Sequence, residues 1–330
     1  MRPTALVVAR LLAALALLAL AAWLVGLRAL IGQLRQVDPA LFALAVATVA
    51  ASQWVSAARW VSIAAILGLR APARDLRLAY AQAMAVNVVL PGATLGGDTL
   101  RSVRLHRLGN PLGESALSVL LDRLSGLWVL CALSLGTGAA LAWAGGLDRL
   151  QLPALAARLD ARSIAWIYLG GLALAVALPF VPMRLPAARA AGVGTGLPRL
   201  LARLAELHAL TVSRGRPLAR SLWSSLLVQV LCAVALWLCQ IAAGGRAGYL
   251  AVQSIAAPVF IAGVMPLSYG GFGARELVAL LAFPLIGVDA QVGVAAGALY
   301  GLTAVLLGLA AAPLLALRSS DRVIDVNRGR

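Results

Sequence analysis

Apolar residues run along this chain in long blocks, each closed by a short stretch bearing arginine, proline or glycine. Blocks of about 20 apolar residues are long enough to cross a bilayer as helices. The first block runs from about residue 10 to Leu27, with Trp23 near its end, too long for the apolar core of a usual signal peptide; it reads as a retained helix. A second span covers about 41–67. A short helix then ends near Leu90, and a long span follows over about 115–141. Spans over about 163–181 and 222–243 follow, then a helix from about Tyr249, an apolar return to Ile286, and a last span over about 291–317.

Two interruptions of this pattern read as one motif written twice. The first is Leu90-Pro91-Gly92-Ala93-Thr94-Leu95-Gly96-Gly97-Asp98-Thr99-Leu100-Arg101, and the second is Met265-Pro266-Leu267-Ser268-Tyr269-Gly270-Gly271-Phe272-Gly273-Ala274-Arg275-Glu276. Each has a proline, a Gly-Gly pair, and an arginine four residues after the second glycine. Backbone that leaves the helix at membrane depth must be covered by protein or line a wet cavity. Paired broken segments in corresponding positions of two halves point to a transporter's binding site. Glycines for close helix packing would also explain one such pair. A half-helix terminus explains two better, because glycine lets backbone N–H groups approach a ligand and a helix N-terminus attracts anions. Arg101 and Arg275 would add a planar, permanently charged fork suited to phosphate, and Asp98 reads as a helix N-cap.

If both motifs are re-entrant, the chain is an all-α polytopic membrane protein with six full spans and two re-entrant helix-loop-helix segments. Its halves, 1–141 and 163–317, have opposite orientation, an inverted-topology repeat within a single membrane domain. The alternative is eight full spans. Arginine counting orients the first arrangement: 19 of the 28 arginines fall in the N-terminus, the 68–77 and 101–107 stretches, the 182–220 loop and the tail. Six fall in the opposite loops, and Arg59, Arg123 and Arg275 fall within spans. The positive-inside rule then puts both termini in the cytoplasm, with 182–220 a basic cytoplasmic loop.

Composition supports this and excludes other classes. The chain has 330 residues, 62% hydrophobic and 12% charged, with a mean hydropathy of +0.92. Its net charge of +16 sits between apolar runs, as contact with anionic headgroups requires, and not in a nucleic-acid module. Every basic residue is arginine, a composition suggesting a GC-rich bacterium. Without lysine there is no Walker A or Schiff-base chemistry. Cys131, Cys232 and Cys239 lie in apolar runs and read as small hydrophobes. His106 and His208 stand alone, so neither a metal nor a cofactor is expected.

Charges at a helix centre cost roughly 2.5–3.5 kcal/mol each, so Arg59, Asp98, Asp122, Arg123, Arg275 and Glu276 are expected to face the bundle interior. Three basic and three acidic groups permit mutual neutralisation. Ser52, Ser56 and Arg59 form one polar stripe at helical spacing; Glu114, Ser118, Asp122 and Ser125 form another. Such stripes can glue helices together or line a polar cavity.

At these residues the chain resembles the transmembrane region of lysylphosphatidylglycerol synthases and its stand-alone, flippase-like relatives. The resemblance rests on Asn87 with Leu90-Pro91-Gly92, on Gly96-Gly97-Asp98 with Arg101, on Asp122-Arg123 and Arg59-Trp60, and on Pro266 through Gly270-Gly271, Gly273 and Arg275-Glu276. It implies a bundle with two re-entrant regions that moves lipid between leaflets, with these residues as the substrate site. No soluble synthetase domain follows Leu317, so aminoacyl transfer is not expected; phospholipid, polyprenyl-linked glycan and hopanoid substrates stay open. Three functions follow in order: a flippase for an anionic phospholipid or lipid-linked intermediate in a bacterial inner membrane; a membrane enzyme acting on a polyprenyl phosphate; and a non-catalytic partner in a lipid pathway. The enzyme would need acidic residues in an outer loop, where only Asp148 and Asp160 stand, each near an arginine. A homo-oligomer or a lipid-biosynthesis partner fits the first reading; nucleic acid fits none.

Overall fold

Asp38 starts the first well-placed helix. Its carboxylate accepts the N–H groups of Ala40 at 2.8 Å and Leu41 at 3.2 Å, and Pro39 opens the first turn. The computed structural model describes residues 35–89, 95–144, 161–177, 215–265 and 272–317, together with Gly32. Outside them lie the predicted span over 10–27, most of the 182–220 loop, and both motif centres with Pro91, Pro266, Gly270 and Gly271.

Every regular element among the described residues is a helix. In chain order the α-helices are α1 (Pro39–Ile66), α2 (Ala73–Val89), α3 (Leu95–Arg107), α4 (Leu112–Trp143), α5 (Ala161–Ala177), α6 (Gly215–Ala242), α7 (Tyr249–Val264), α8 (Ala274–Ala282) and α9 (Ala290–Ala311). Short 3-10 turns cover Pro284–Ile286 and Ala312–Ala316. Four segments, within α1, α4, α6 and α9 with its 3-10 extension, are long and apolar enough to cross a membrane; α5 and α7 are shorter apolar helices. The four coincide with the predicted spans over 41–67, 115–141, 222–243 and 291–317, while α5 covers part of the predicted span over 163–181. One boundary moves: Arg216 and Arg220, assigned to the basic loop, lie in the first turns of α6.

α1 packs along α6, and α4 lies between α3, α5 and α7, while α9 lies between α2, α6 and α8. The amide of Asp38 donates to Ala242 O at 3.0 Å, joining the start of α1 to the end of α6, so the two run antiparallel. The apolar core gathers Leu236 and Cys239 of α6, Val252 and Val259 of α7, Phe283, and Ala295 and Leu299 of α9. Trp54, Leu120, Trp223, Leu281 and Leu309 face outward, as lipid-facing side chains do.

Small and hydroxylated residues set the close approaches. Gly308 of α9 sits against the Val88 side chain and the Met84 carbonyl of α2. Pro258 interrupts the α7 ladder, and Ser134 of α4 covers the break: its hydroxyl donates to Gln253 O at 2.8 Å and accepts from Ala257 N at 3.1 Å.

Candidate functional site

The charged residues predicted to face inward do so, but they divide unequally. Asp122, on the mid-α4 turn facing α1 and α3, accepts from Arg59 Nε at 2.8 Å and from Arg101 NH2 at 2.7 Å, one oxygen to each. Arg59 descends from α1 and Arg101 from α3, and all three side chains are almost fully buried. Arg123, one residue further along α4, forks onto Asp98 with contacts of 2.9–3.3 Å. Asp98 also lies 3.6 Å from Arg101, closing a chain of five charges. Aromatic faces hold the centre: the Arg101 guanidinium lies 4.3 Å from the Trp60 ring centroid and 4.7 Å from that of Tyr80. Trp60 is fixed by its indole N–H on Ser118 Oγ at 3.1 Å.

Three expectations change here. Asp98 is not an N-cap; it stands inside the first turn of α3, where its carboxylate complements the helix dipole while pairing with Arg123. Arg101, counted with the basic 101–107 stretch, is only 2% exposed, because Asp122 draws it inward. Gly97 does not turn its amide to a ligand. Its N–H donates to Asn87 Oδ1 at 2.8 Å, and a Cβ there would sit 2.6 Å from Ala83 O, so it serves the close packing of α2 on α3. Gly96, half-buried, precedes it in the same turn.

Arg275 and Glu276 do not neutralise one another. Glu276 is fully buried and turns back to accept the N–H of Gly273, a glycine whose φ of +88° favours a residue without Cβ. Arg275 is 6% exposed and lies between the rings of Phe272 and Tyr300, 5.9 and 5.5 Å away. Its Nε and NH1 have no acceptor among the described residues.

One cavity of about 680 Å³ joins these groups. Arg59, Arg101, Arg123 and Arg275 line it with Asp98, Asn87, Gln53, Gln229 and Tyr80. Most of its remaining wall is apolar, and Leu124, Leu127, Ile261, Val264 and Met265 in that wall are also open to the outside. Asp122 lies behind the two arginines it joins. Of the serine stripes, Ser56 faces the cavity, whereas Ser52 bonds Val49 O within α1 and Ser118 supports Trp60. Sequence reasoning passed over Tyr80, Gln229 and Tyr300. Their one visible signal was a polar atom at helical spacing within an apolar run. Among the described residues, no group of three or more His, Cys, Asp or Glu side chains is placed to hold a metal ion.

The family model of the lysylphosphatidylglycerol synthase transmembrane region matches residues 7–312, and the chain belongs to that family of membrane domains associated with lipid handling. No curated protein matches it.

Proposed function

We propose that the protein is a lipid flippase or transporter, moving an anionic phospholipid or lipid-linked intermediate between leaflets of a bacterial inner membrane. The observation that carries this reading is the cavity's two-part wall. Four guanidinium groups face one region, and leucine, isoleucine, valine and methionine side chains open to the outside form another. A lipid has the same division. Its phosphate needs charge-assisted hydrogen bonds, and its acyl chains gain nothing by leaving hydrocarbon, so the headgroup enters while the tails trail out past Leu124 and Val264.

The inverted repeat supplies the alternation. Exchanging α1–α4 with α6–α9 turns each helix contact into another that is present. α2 on α3 becomes α7 on α8, α3 on α4 becomes α8 on α9, and α4 on α7 becomes α9 on α2. The antiparallel pair α1 and α6 exchanges with itself. Two such halves, rocking about the α1–α6 contact, would open the cavity to each leaflet in turn. In this reading the motifs are re-entrant, both termini are cytoplasmic, the protein is not an enzyme and needs no cofactor, and its partner is membrane lipid. A second copy or a lipid-biosynthesis enzyme is compatible with it.

Reconstitution in liposomes tests the reading. Leaflet exchange of labelled phosphatidylglycerol should exceed that of phosphatidylcholine and of protein-free liposomes. Folded protein that accelerates neither lipid would refute it.

A further inference from the structure

Beside its charges, the cavity wall carries a strip of uncharged polar side chains. Gln53 and Ser56 stand a turn apart on α1, and Arg59 follows one turn later, so the three share a face. Gln229 of α6 and Tyr80 and Asn87 of α2 complete the strip. Each of these three is anchored at one atom. Tyr80 donates its hydroxyl to Gln53 Oε1 at 3.2 Å, Asn87 Oδ1 accepts the Gly97 N–H at 2.8 Å, and Gln229 Nε2 donates to Gly126 O at 3.0 Å. A Cβ on Gly126 of α4 would stand 3.0 Å from Arg59 NH1 and 3.3 Å from Gln229 Nε2, so both side chains reach across bare backbone.

These anchors use only part of what the side chains offer. Among the described residues, Gln53 Nε2 and Asn87 Nδ2 have no acceptor, and Gln229 Oε1 has no donor. Ser56 is only 4% exposed, yet its hydroxyl has no partner there either. Ser52 and Ser62 of α1 and Ser118 and Ser125 of α4 instead turn their hydroxyls back onto a carbonyl of their own helix. Polar groups held in an apolar wall without partners are costly. The free atoms are two amide donors, one carbonyl acceptor and one hydroxyl. A phosphate could use only the donors and an ammonium group only the acceptor, whereas a hydroxyl both donates and accepts.

We propose that this strip is a subsite for hydroxyl groups, and that the transported lipid carries a polyol headgroup, glycerol or a sugar. The proposal rests on the lipid-transport reading and adds a selectivity that charge cannot supply, since it separates lipids of equal charge by their hydroxyls. A site built to hydrogen-bond a hydroxyl rejects the analogue lacking it, because its own polar groups are then left unpaired. The strip is also well placed for a moving headgroup. Gln53, Ser56 and Gln229 lie on α1 and α6, the pair that exchanges with itself, and therefore belong to the wall common to the two halves.

The test compares binding of dihexanoylphosphatidylglycerol and dihexanoylphosphatidylethanol to detergent-purified protein. Both probes carry one negative charge and a short ester headgroup, and only the first has headgroup hydroxyls. Two uncharged hydrogen bonds should favour phosphatidylglycerol about ten-fold. In Gln53→Leu/Ser56→Ala that preference should fall below about three-fold, while binding of phosphatidylethanol stays within about two-fold of wild type and certifies the fold. Should the double variant fail to fold, Ser56→Ala alone should lower the preference about three-fold. Equal binding of the two probes by wild-type protein would mean that the strip serves water, and would overturn the proposal. A preference unchanged in the variants would also overturn it, as would free glycerol 1-phosphate binding as tightly as the lipid. Liposome exchange of the long-chain lipids separates the two claims. Wild-type protein that exchanges neither lipid removes the transport reading itself, whereas equal exchange of phosphatidylglycerol and phosphatidylethanol removes this assignment alone.

Discussion

Asp122 is the residue whose loss should be felt most, and its effect can be worked from its contacts. Asp122→Ala removes two charge-assisted hydrogen bonds of 2.7 and 2.8 Å and leaves Arg59 and Arg101 buried without their shared carboxylate. Each such bond contributes about 1.5–3 kcal/mol, which sets an upper bound of roughly 6 kcal/mol. Removing one member of a buried ion pair costs about 3–5 kcal/mol. Arg101 keeps Asp98 at 3.6 Å and the faces of Trp60 and Tyr80, which offset part of the loss. Both arginines also border the cavity. The expected cost is therefore at the lower end, roughly 3–4 kcal/mol.

The assay is equilibrium unfolding in mixed micelles, titrated with a denaturing detergent and followed by tryptophan fluorescence. Trp60 is fully buried against Arg101 and reports directly on this region. A second variant separates lost charge pairing from lost packing. Arg59→Met/Arg101→Met/Asp122→Leu removes all three charges together and leaves no orphan, so it should unfold within about 2 kcal/mol of wild type. An Asp122→Ala protein as stable as wild type to within 1 kcal/mol, or a triple variant less stable than Asp122→Ala, would refute the claim that Asp122 holds the two helices through its charges.

Gly97→Ala should destabilise by about 1–3 kcal/mol in the same titration, since the new Cβ meets the backbone carbonyl of Ala83, which cannot swing aside. Gly263→Val should cost at least as much in that titration, because its side chain meets the Arg275 guanidinium, which is buried between Phe272 and Tyr300 and against Gly301. Leu124→Trp/Val264→Trp, which fills the apolar opening, should slow exchange of long-chain lipid in liposomes while leaving binding of the dihexanoyl lipid unchanged.

Much of this architecture was legible in the sequence because a bilayer imposes length and polarity directly on each helix. The predicted spans over 41–67, 115–141, 222–243 and 291–317 coincide with α1, α4, α6 and α9 to within a few residues, apart from the earlier start of α6. The inward direction of Arg59, Asp122 and Arg123 was legible for the same reason. Which charge meets which was not. Arg59 and Arg101 lie 63 and 21 residues from Asp122, and no helical spacing encodes a pairing between three helices. Asn87 stood among the motif residues, but its role as acceptor for Gly97 depends on how closely α2 approaches α3. Gly263 and Gly301 gave no signal at all; glycine in an apolar helix is too common to mark the place where an arginine passes.

The two motifs illustrate why a repeat in sequence need not be a repeat in function. Proline, glycine pair and arginine recur where α2 gives way to α3 and where α7 gives way to α8. The electrostatic outcome is decided by Asp98 within the first motif, which Phe272 replaces in the second, and by residues outside the motifs. α1 and α4 bring Arg59, Asp122 and Arg123 to one arginine, whereas α7 and α9 bring only glycine, aromatic and aliphatic side chains to the other. The ion network around Asp122 joins α1, α3 and α4 without any ligand, although it leaves Arg101 Nε without an acceptor among the described residues. If the halves alternate as proposed, a substrate that binds one arrangement better than the other biases the equilibrium between them.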